Sequence, residues 1–163
     1  MKIRDYAEND WPAVWAILRP VIRAGETYAY DPGMDAAEAH KAWVDIPPAT
    51  FVVEADNGEI CGTYYLKPNQ PGLGAHVCNC GYMVADSARS RGLGAAMCRH
   101  SQQEALARGF RAMQYNLVVS SNLSAVRLWQ ANGFEIVGRL PQAFHHAQLG
   151  YIDAFVMYKL LGN

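Results

Sequence analysis

Residues 82–95 combine an apolar run with two closely spaced glycines, a pattern suited to binding an anion. Residues 82–85 are apolar and predict the end of a strand, and a helix-forming stretch follows Gly92 and Gly94. Glycine lets a ligand approach the main chain closely, and the free N–H groups of a helix's first turn carry the positive end of its dipole. No acidic residue occurs between 87 and 103, whereas arginines do: Arg89, Arg91 and Arg99. The segment therefore predicts a site for phosphate groups.

Other glycine loops fit this segment less well. A dinucleotide-binding loop would need a third glycine where this chain has Met97, and it would follow the first strand rather than begin past the middle of the chain. A P-loop would need a Lys-Ser or Lys-Thr pair, which the segment lacks. A strand-to-helix turn that binds nothing is compatible with the spacing alone, so the rest of the chain has to decide.

Length and composition predict one soluble globular domain over residues 1–163. The chain has 163 residues, of which 51% are hydrophobic and 18% charged, and this suits a domain with a sizeable core. No segment approaches the ~20 uninterrupted apolar residues of a membrane helix. The N-terminus lacks the apolar segment of a secretion signal. We therefore expect a cytoplasmic protein without a membrane partner.

The cysteines suit a reducing compartment, where they act as small buried apolar residues: Cys61, Cys78, Cys80 and Cys98. His76, Cys78 and Cys80 would share one face of a predicted strand. However, no second pair of ligands occurs at the spacing of a zinc site. Buried strand cysteines explain the pattern better, and we predict no metal.

Charge is distributed unevenly along the chain, although the net charge is −1. Residues 1–60 contain eleven acidic and five basic side chains, and residues 61–163 contain four acidic and nine basic ones. A protein that holds an anionic ligand on one side and a cationic ligand on the other would show this separation, and so would ordinary surface scatter. The total charge argues against nucleic acid as the main partner.

Hydrophobic periodicity and turn signals predict the order β-α-α-β-β-β-α-β-α-β-β, which is an α/β (α+β) fold with helices on the faces of a mixed sheet. The predicted strands cover residues 3–6, 51–55, 60–67, 76–85, 113–119, 134–139 and 151–161. The predicted helices cover residues 11–23 and 35–45, the stretch from the glycines to 108, and residues 123–132. Residues 140–150, which include His145 and His146, are predicted to connect the last two strands.

Three features of the chain resemble the Gcn5-related N-acetyltransferase (GNAT) superfamily. The acyl-CoA pyrophosphate loop of the family is similar to Arg89-x-x-Gly92-x-Gly94-Ala95, including its position after the fourth strand. A second family motif is similar to Asn122-x-x-Ala125-x-x-Leu128-Trp129-x-x-x-Gly133-Phe134. The usual first strand and helix start are similar to Ile3-Arg4 and Asp10. The resemblance implies a mostly antiparallel sheet of six to seven strands, splayed between strands 4 and 5 and flanked by about four helices.

The resemblance also implies an acyl-CoA cosubstrate, by default acetyl-CoA, bound where strands 4 and 5 separate. Its pyrophosphate would bind the main-chain N–H groups of Arg89, Ser90, Arg91, Gly92, Leu93, Gly94 and Ala95. The main chain of Met83 and Val84 would pair with the pantetheine arm like an added strand. Asn122 would hydrogen-bond the same arm, and a plain helix N-cap is the alternative role for this residue.

In the implied reaction, a neutral amine attacks the thioester carbonyl and a thiolate leaves. An N–H group near Met83 or Val84 would stabilise the oxyanion, and a base has to deprotonate the acceptor ammonium. Glu26 is the candidate base, because Glu26-Thr27-Tyr28 resembles the corresponding stretch of the phosphinothricin acetyltransferases. A solvated loop carboxylate is the alternative. Trp129 stands where the superfamily often has a tyrosine acid, and because an indole N–H cannot act as an acid we expect it to pack.

Asn79 and Asn116 interrupt otherwise apolar strands, and a buried amide without a partner is costly. Either they pair in the core, or they hold an acceptor across the splayed strands. Their surroundings, residues 78–82 and 115–122, are similar to the yeast N-acetyltransferases of proline analogues, which favours a small amine or amino-acid-like acceptor. An acyl-CoA-binding regulatory module without turnover, and a protein or peptide N-acetyltransferase, stay open as alternatives. A homodimer is also left open.

Overall fold

The computed structural model describes residues 1–162 and contains a seven-stranded mixed sheet. The strands are β1 (Lys2–Asp5), β2 (Ala49–Glu54), β3 (Ile60–Pro68), β4 (Val77–Val84), β5 (Ala112–Val119), β6 (Glu135–His146) and β7 (Gly150–Leu160). Their order in the sheet is β1-β2-β3-β4-β5-β7-β6, and β4 and β5 form the parallel pair among antiparallel neighbours. The predicted fold class is confirmed.

The helices begin and end close to the predicted residues. They are α1 (Trp11–Ala24), α2 (Ala36–His40, continued by a π-helical turn over Lys41–Asp45), α3 (Leu93–Ala107) and α4 (Leu123–Ala131). The predicted capping box is present at α2, where the Asp35 carboxylate accepts from the Glu38 N–H and the Glu38 carboxylate accepts from the Asp35 N–H, both at 2.9 Å. Helix α1 ends at Gly25, whose φ of +61° closes the helix in the left-handed conformation.

The helices pack on opposite faces of the sheet because successive side chains of a strand point to opposite faces. Helices α1 and α2 cover one face, where Tyr65 of β3 and Met83 of β4 join their apolar side chains. Helices α3 and α4 cover the other face, against Tyr64 of β3 and against Cys78 and Cys80 of β4. Most side chains of β3 and β4 are therefore packed on one face or the other, and this fixes the register of β4.

β4 and β5 separate soon after they begin to pair. Their parallel pairing covers Val77 with Ala112 and Cys78 with Met113, and it stops there. β5 continues alongside β7, with an irregularity in register between Tyr115 and Val118. The sheet is therefore splayed between its fourth and fifth strands in chain order, as predicted.

The prediction that residues 140–150 form a connection is wrong. β6 runs from Glu135 to His146, so that only residues 147–149 link it to β7. Pro141 lacks an N–H donor, and a proline within an apolar run argues against a strand in sequence patterns. The chain accommodates it with a register shift between Leu140 and Phe144. There Gln142 has a φ of +50° and donates its N–H to Asp153 (2.9 Å).

Within residues 1–162, no helix is long and apolar enough to cross a membrane. In the same part of the chain, no group of three or more His, Cys, Asp or Glu side chains is placed to hold a metal ion. The cysteines are buried free thiols.

Candidate active site

A cleft of about 960 Å³ opens where β4 and β5 separate. Its walls come from these two strands, the loop after α1, the end of β3, the N-terminus of α3 and one side of α4. Over the described residues 1–162, the lining contains no Asp, Glu or His, and its cationic side chains are Lys67 and Arg89. The cleft can therefore receive an anionic ligand without facing a carboxylate.

The glycine loop (residues 89–95) presents free main-chain donors to one end of this cleft. The first hydrogen bond of α3 runs from the Ala96 N–H to the Gly92 C=O (3.1 Å). The N–H groups of residues 90–95 have no acceptor within residues 1–162. Ser90 and Gly92 have φ values of +60° and +77°, and left-handed residues of this kind turn successive N–H groups toward a common point. The loop thus fits a phosphate group.

The two glycines are required for different reasons. A β-carbon on Gly92 would meet nothing within 4 Å, so its positive φ is what calls for glycine. A β-carbon on Gly94 would lie 2.8 Å from Cδ2 of Leu128, so Gly94 allows α3 to approach α4 closely. Beside the loop, Nε of Arg89 lies 2.9 Å from Oδ1 of Asp86, with both side chains largely exposed.

Asn122 lines the cleft at the start of α4. Its Oδ1 accepts hydrogen bonds from the Ala125 N–H (3.3 Å) and from the Ser124 hydroxyl (3.0 Å). The helix N-cap role is therefore confirmed. Its Nδ2 has no partner within residues 1–162, and the residue lines the cleft, so one donor is left for a ligand.

The register of β4 decides which main-chain groups face the gap. At its two ends, the Ala85 N–H donates to the Cys61 C=O (3.0 Å) and the Val77 C=O accepts from the Asn69 N–H (2.8 Å). Because main-chain groups of successive strand residues point to opposite sides, the odd-numbered residues from 77 to 85 face β3. The main chains of Cys80, Tyr82 and Val84 face the gap. Of the two predicted residues, Val84 turns its main chain to the gap, and Met83 turns its main chain to Thr63 of β3.

The Tyr28 hydroxyl occupies the gap beside Tyr82. It accepts the Tyr82 N–H at 2.7 Å and donates to the Tyr82 C=O at 2.8 Å, so it satisfies both main-chain groups of that residue. Burial raises the pKa of Tyr28 above its ordinary value. The hydroxyl therefore keeps its proton and can donate and accept at once.

Trp129 packs between two tyrosines on the α4 side of the cleft. Its ring lies 5.0 Å from the Tyr82 ring and 4.9 Å from the Tyr115 ring, measured between centroids. The hydroxyls of these tyrosines are 3.0 Å apart, and the Tyr82 hydroxyl is 2.7 Å from the Ser101 hydroxyl. Burial raises the pKa of both tyrosines. The packing role expected for Trp129 agrees with these contacts.

Asn79 and Asn116 both line the cleft, but they do not pair with each other. Asn79 is 8% exposed; its Nδ2 donates to the Gln114 C=O (2.9 Å) and its Oδ1 accepts from the Tyr65 hydroxyl (3.2 Å). Since Gln114 follows the last β5 residue paired with β4, the Asn79 side chain bridges the strands where they part. Asn116 is exposed, and its Nδ2 donates to Oδ1 of Asn69 (2.7 Å).

Glu26 lies outside the lining of the cleft. Its Oε1 accepts from Nε2 of Gln148 (3.1 Å), a residue of the turn between β6 and β7. The neighbouring Thr27 does line the cleft. The structure therefore brings together the glycine loop, Val84, Asn122, Asn79 and Asn116 in one cleft. Glu26 is outside the lining, next to Thr27 in the chain.

Sequence reasoning missed Tyr28 and Lys67. Tyr28 belongs to an aromatic loop without periodicity, and nothing local indicates that its hydroxyl reaches a strand 54 positions further along the chain. Lys67 lies near the end of β3, half-buried, with its Nζ 5.1 Å from the Tyr65 ring centroid. An ordinary exposed lysine would give the same sequence signal.

Comparison with known proteins identifies the family. The model of the acetyltransferase (GNAT) family matches residues 11–134. N-acetyltransferase aca1 of Schizosaccharomyces pombe is 30% identical over 151 residues, covering 83% of this chain and 72% of the relative.

Solved structures agree with this match. A GCN5-related N-acetyltransferase from Kribbella flavida is 42% identical, with a TM-score of 0.93 over 98% of this chain and 97% of the other. A phosphinothricin acetyltransferase from Sinorhizobium meliloti, solved with acetyl-CoA, shares the fold at 20% identity, with a TM-score of 0.86 over 99% of this chain and 88% of the other. The chain belongs to the GNAT family and is an acetyl-CoA-dependent N-acetyltransferase.

Proposed function

We propose that this enzyme acetylates the amine of a small, amino-acid-like acceptor by direct attack in a ternary complex. The observation that carries the proposal is that the two ends of one cleft differ in their chemistry. One end offers the free N–H groups of the glycine loop, and the other is lined by Lys67, amides and tyrosines with no carboxylate among the described residues. The first end suits the diphosphate of acetyl-CoA, and the second suits an acceptor that carries a negative charge beside its amine.

At the first end, we propose that the N–H groups of residues 90–95 bind the pyrophosphate, with Arg89 and Arg91 adding charge from the surface. Val84 would pair its main chain with the pantetheine arm, and Nδ2 of Asn122 would donate to it. The donors are already oriented by the fold, so binding does not require them to reorganise. Acetyl-CoA supplies the acetyl thioester, and the chain supplies position.

At the second end, Lys67 is the proposed contact for an acceptor carboxylate. Its ammonium lies within 4.0 Å of no Asp or Glu in residues 1–162, so its charge is left for a ligand. Asn116 and Asn69 lie beside it in the lining and would hydrogen-bond the same group. A basic peptide would meet a lysine here and no acidic partner, which disfavours protein lysine acetylation.

Asn79 has a different proposed role from Asn116. Its amide groups are used by Tyr65 and Gln114, so we propose that Asn79 fixes the point where β4 and β5 part. Asn116 is exposed, and its hydrogen bonds can exchange for bonds to an acceptor.

The bond changes of the proposed reaction balance simply. The acceptor ammonium loses one proton to solvent, and the neutral nitrogen forms a bond to the acetyl carbon. The carbon–sulfur bond breaks with its electron pair on the CoA sulfur, and this thiolate gains the second proton that the nitrogen loses. We propose that Glu26 acts on the first of these protons through water, because its carboxylate lies outside the cleft lining. A main-chain N–H of β4 would hold the oxyanion.

Exchange of Lys67 tests this proposal. Free amino acids, including proline and its ring analogues, would first be screened as acceptors by CoA release. The best acceptor would then be compared with its own carboxamide. Lys67→Met keeps the apolar stem over Tyr65 and removes the charge, so it should raise the KM of the free acid at least about tenfold and leave the amide unchanged. Lys67→Arg is the control that keeps the charge. An equal effect on acid and amide would contradict the assignment.

A further inference from the structure

The Tyr28 hydroxyl stands where a neighbouring strand would otherwise pair with β4. The N–H and the C=O of Tyr82 point into the gap, and one side chain from the loop after α1 bonds both, at 2.7 and 2.8 Å. An added strand, or a ligand that pairs like one, would use the same two groups. Tyr28 and such a ligand therefore cannot hold Tyr82 at the same time.

The Tyr28 ring packs against other aromatic rings on the side away from Tyr82. It stacks parallel to Tyr30 at 5.8 Å between centroids, and it meets Trp43 edge to face at 6.0 Å. Trp43 is fully buried and bonded through its indole N–H to Thr63 (3.1 Å). The hydroxyl thus reaches β4 from a packed aromatic group, and the packing does not depend on the hydrogen bonds to Tyr82.

Two observations indicate that Tyr82 would lie near the acetyl group of a bound acetyl-CoA. Along β4, Val84 is nearer to the glycine loop, and the next main chain facing the gap is that of Tyr82, about 6.6 Å further on at strand spacing. The ring of Tyr82 also lies 5.0 Å from the ring of Trp129, which lines the cleft from α4. A pantetheine arm that pairs with Val84 would therefore extend along β4 toward Tyr82.

We propose that Tyr28 is a positioning residue that holds the Tyr82 N–H in the free enzyme and releases it to the acetyl carbonyl oxygen when acetyl-CoA binds. This inference rests on the proposed acetyl-CoA site. It assigns the oxyanion donor to the Tyr82 N–H and gives the free enzyme a hydroxyl that satisfies this donor.

Release of Tyr28 also changes the acceptor end of the cleft. Thr27, Tyr28, Ala29 and Tyr30 belong to one loop, and all of them line the cleft. The loop is tied at its start, where the Gly25 C=O accepts from the Ala147 N–H (3.0 Å). Movement of Tyr28 would therefore change the acceptor wall.

The test compares Tyr28→Phe with Tyr151→Phe by titration calorimetry. Tyr28→Phe keeps the aromatic packing and removes the competing hydroxyl. The fraction of enzyme able to bind rises, and the Kd of acetyl-CoA should fall about 5- to 30-fold. CoA has no acetyl carbonyl and should gain less. Tyr151→Phe is the control because Tyr151 is an exposed residue of β7 outside the cleft lining, and it should stay within about twofold of wild type.

Every other outcome overturns the inference. If Tyr28→Phe binds acetyl-CoA with unchanged or lower affinity, the inference is wrong, even if turnover or thermal stability also falls. It is also wrong if the affinities for CoA and acetyl-CoA rise by the same factor. A crystal structure of the wild-type enzyme with acetyl-CoA gives a second readout that needs no variant. It should show the Tyr28 hydroxyl beyond hydrogen-bond reach of the Tyr82 nitrogen, and retention of that bond would refute the proposal. A comparison of Gly92→Asp with Gly92→Asn tests the proposed acetyl-CoA site separately from Tyr28.

Discussion

Gly92 allows the proposed phosphate site to be tested with a nearly isosteric pair of variants. Gly92→Asp and Gly92→Asn differ in charge and hardly in shape. A β-carbon at this position meets nothing within 4 Å, so neither side chain is forced into the protein. Both have to adopt a φ of +77°, which Asn and Asp tolerate better than other residues with a β-carbon. The cost in folding stability should therefore be similar, about 1 kcal/mol each.

The expected difference in affinity follows from Coulomb's law. A carboxylate about 6 Å from one phosphate charge is repelled by roughly 2.8 kcal/mol at an effective dielectric constant of about 20. The cleft is open to solvent, and salt screens part of this repulsion. We therefore expect Gly92→Asp to bind acetyl-CoA about 10- to 100-fold more weakly than Gly92→Asn, a difference of ~1.4–2.7 kcal/mol.

Calorimetry with acetyl-CoA at two salt concentrations measures this difference. The gap between the two variants should narrow as salt rises, because the repulsion is electrostatic. Thermal unfolding of both variants shows whether they fold equally well. Equal affinity of Gly92→Asp and Gly92→Asn in folded protein would refute the assignment of the pyrophosphate to the glycine loop.

Four further variants test other parts of the structure. Trp129→Phe keeps the ring against two tyrosines and should leave turnover within about tenfold, or ~1.4 kcal/mol, of wild type; a loss of about a thousandfold in folded enzyme would show that the indole N–H takes part in catalysis. Asn116→Ala should raise the acceptor KM with little change in melting temperature, whereas Asn79→Ala should lower the melting temperature because a buried bridge is lost; the opposite division would reverse the two proposed roles. Arg4 bonds Asp10 and lowers the pKa of that carboxyl, so wild type should exceed Arg4→Gln in stability at pH 6, and urea midpoints should converge as pH falls through and below Asp10's ordinary pKa of about 3.9. A stability gap that does not depend on pH would exclude this ion pair as its source.

Sequence signals predicted the features that depend on neighbours in the chain. The Asp35–Glu38 capping box and the glycine stop at Gly25 act within one helical turn, and both are present. The sequence also predicted the glycine loop, because its geometry depends on glycines next to the start of a helix. The splay between β4 and β5 came from the family resemblance and not from any local pattern.

The features that were missed depend on contacts between distant residues. Glu26 lies outside the cleft lining and bonds Gln148, 122 positions away. The amide groups of Asn79 were known to need partners, but which partners they have follows from the register of three strands. The strand across Pro141 exists because β7 offers a bulged partner, with Asp153 accepting the Gln142 N–H. No short window of sequence contains that information.

The central claim, acetyl transfer to an amine that carries a carboxylate, can be tested directly on the wild-type enzyme. The measurement is kcat/KM for CoA release with each free amino acid and with its carboxamide, at a saturating concentration of acetyl-CoA. Removing the carboxylate leaves Lys67 without a partner, and we expect kcat/KM to fall at least about tenfold, or ~1.4 kcal/mol. If carboxamides, polyamines or lysine-containing peptides are acetylated as well as the free acids or better, the proposed acceptor class is wrong.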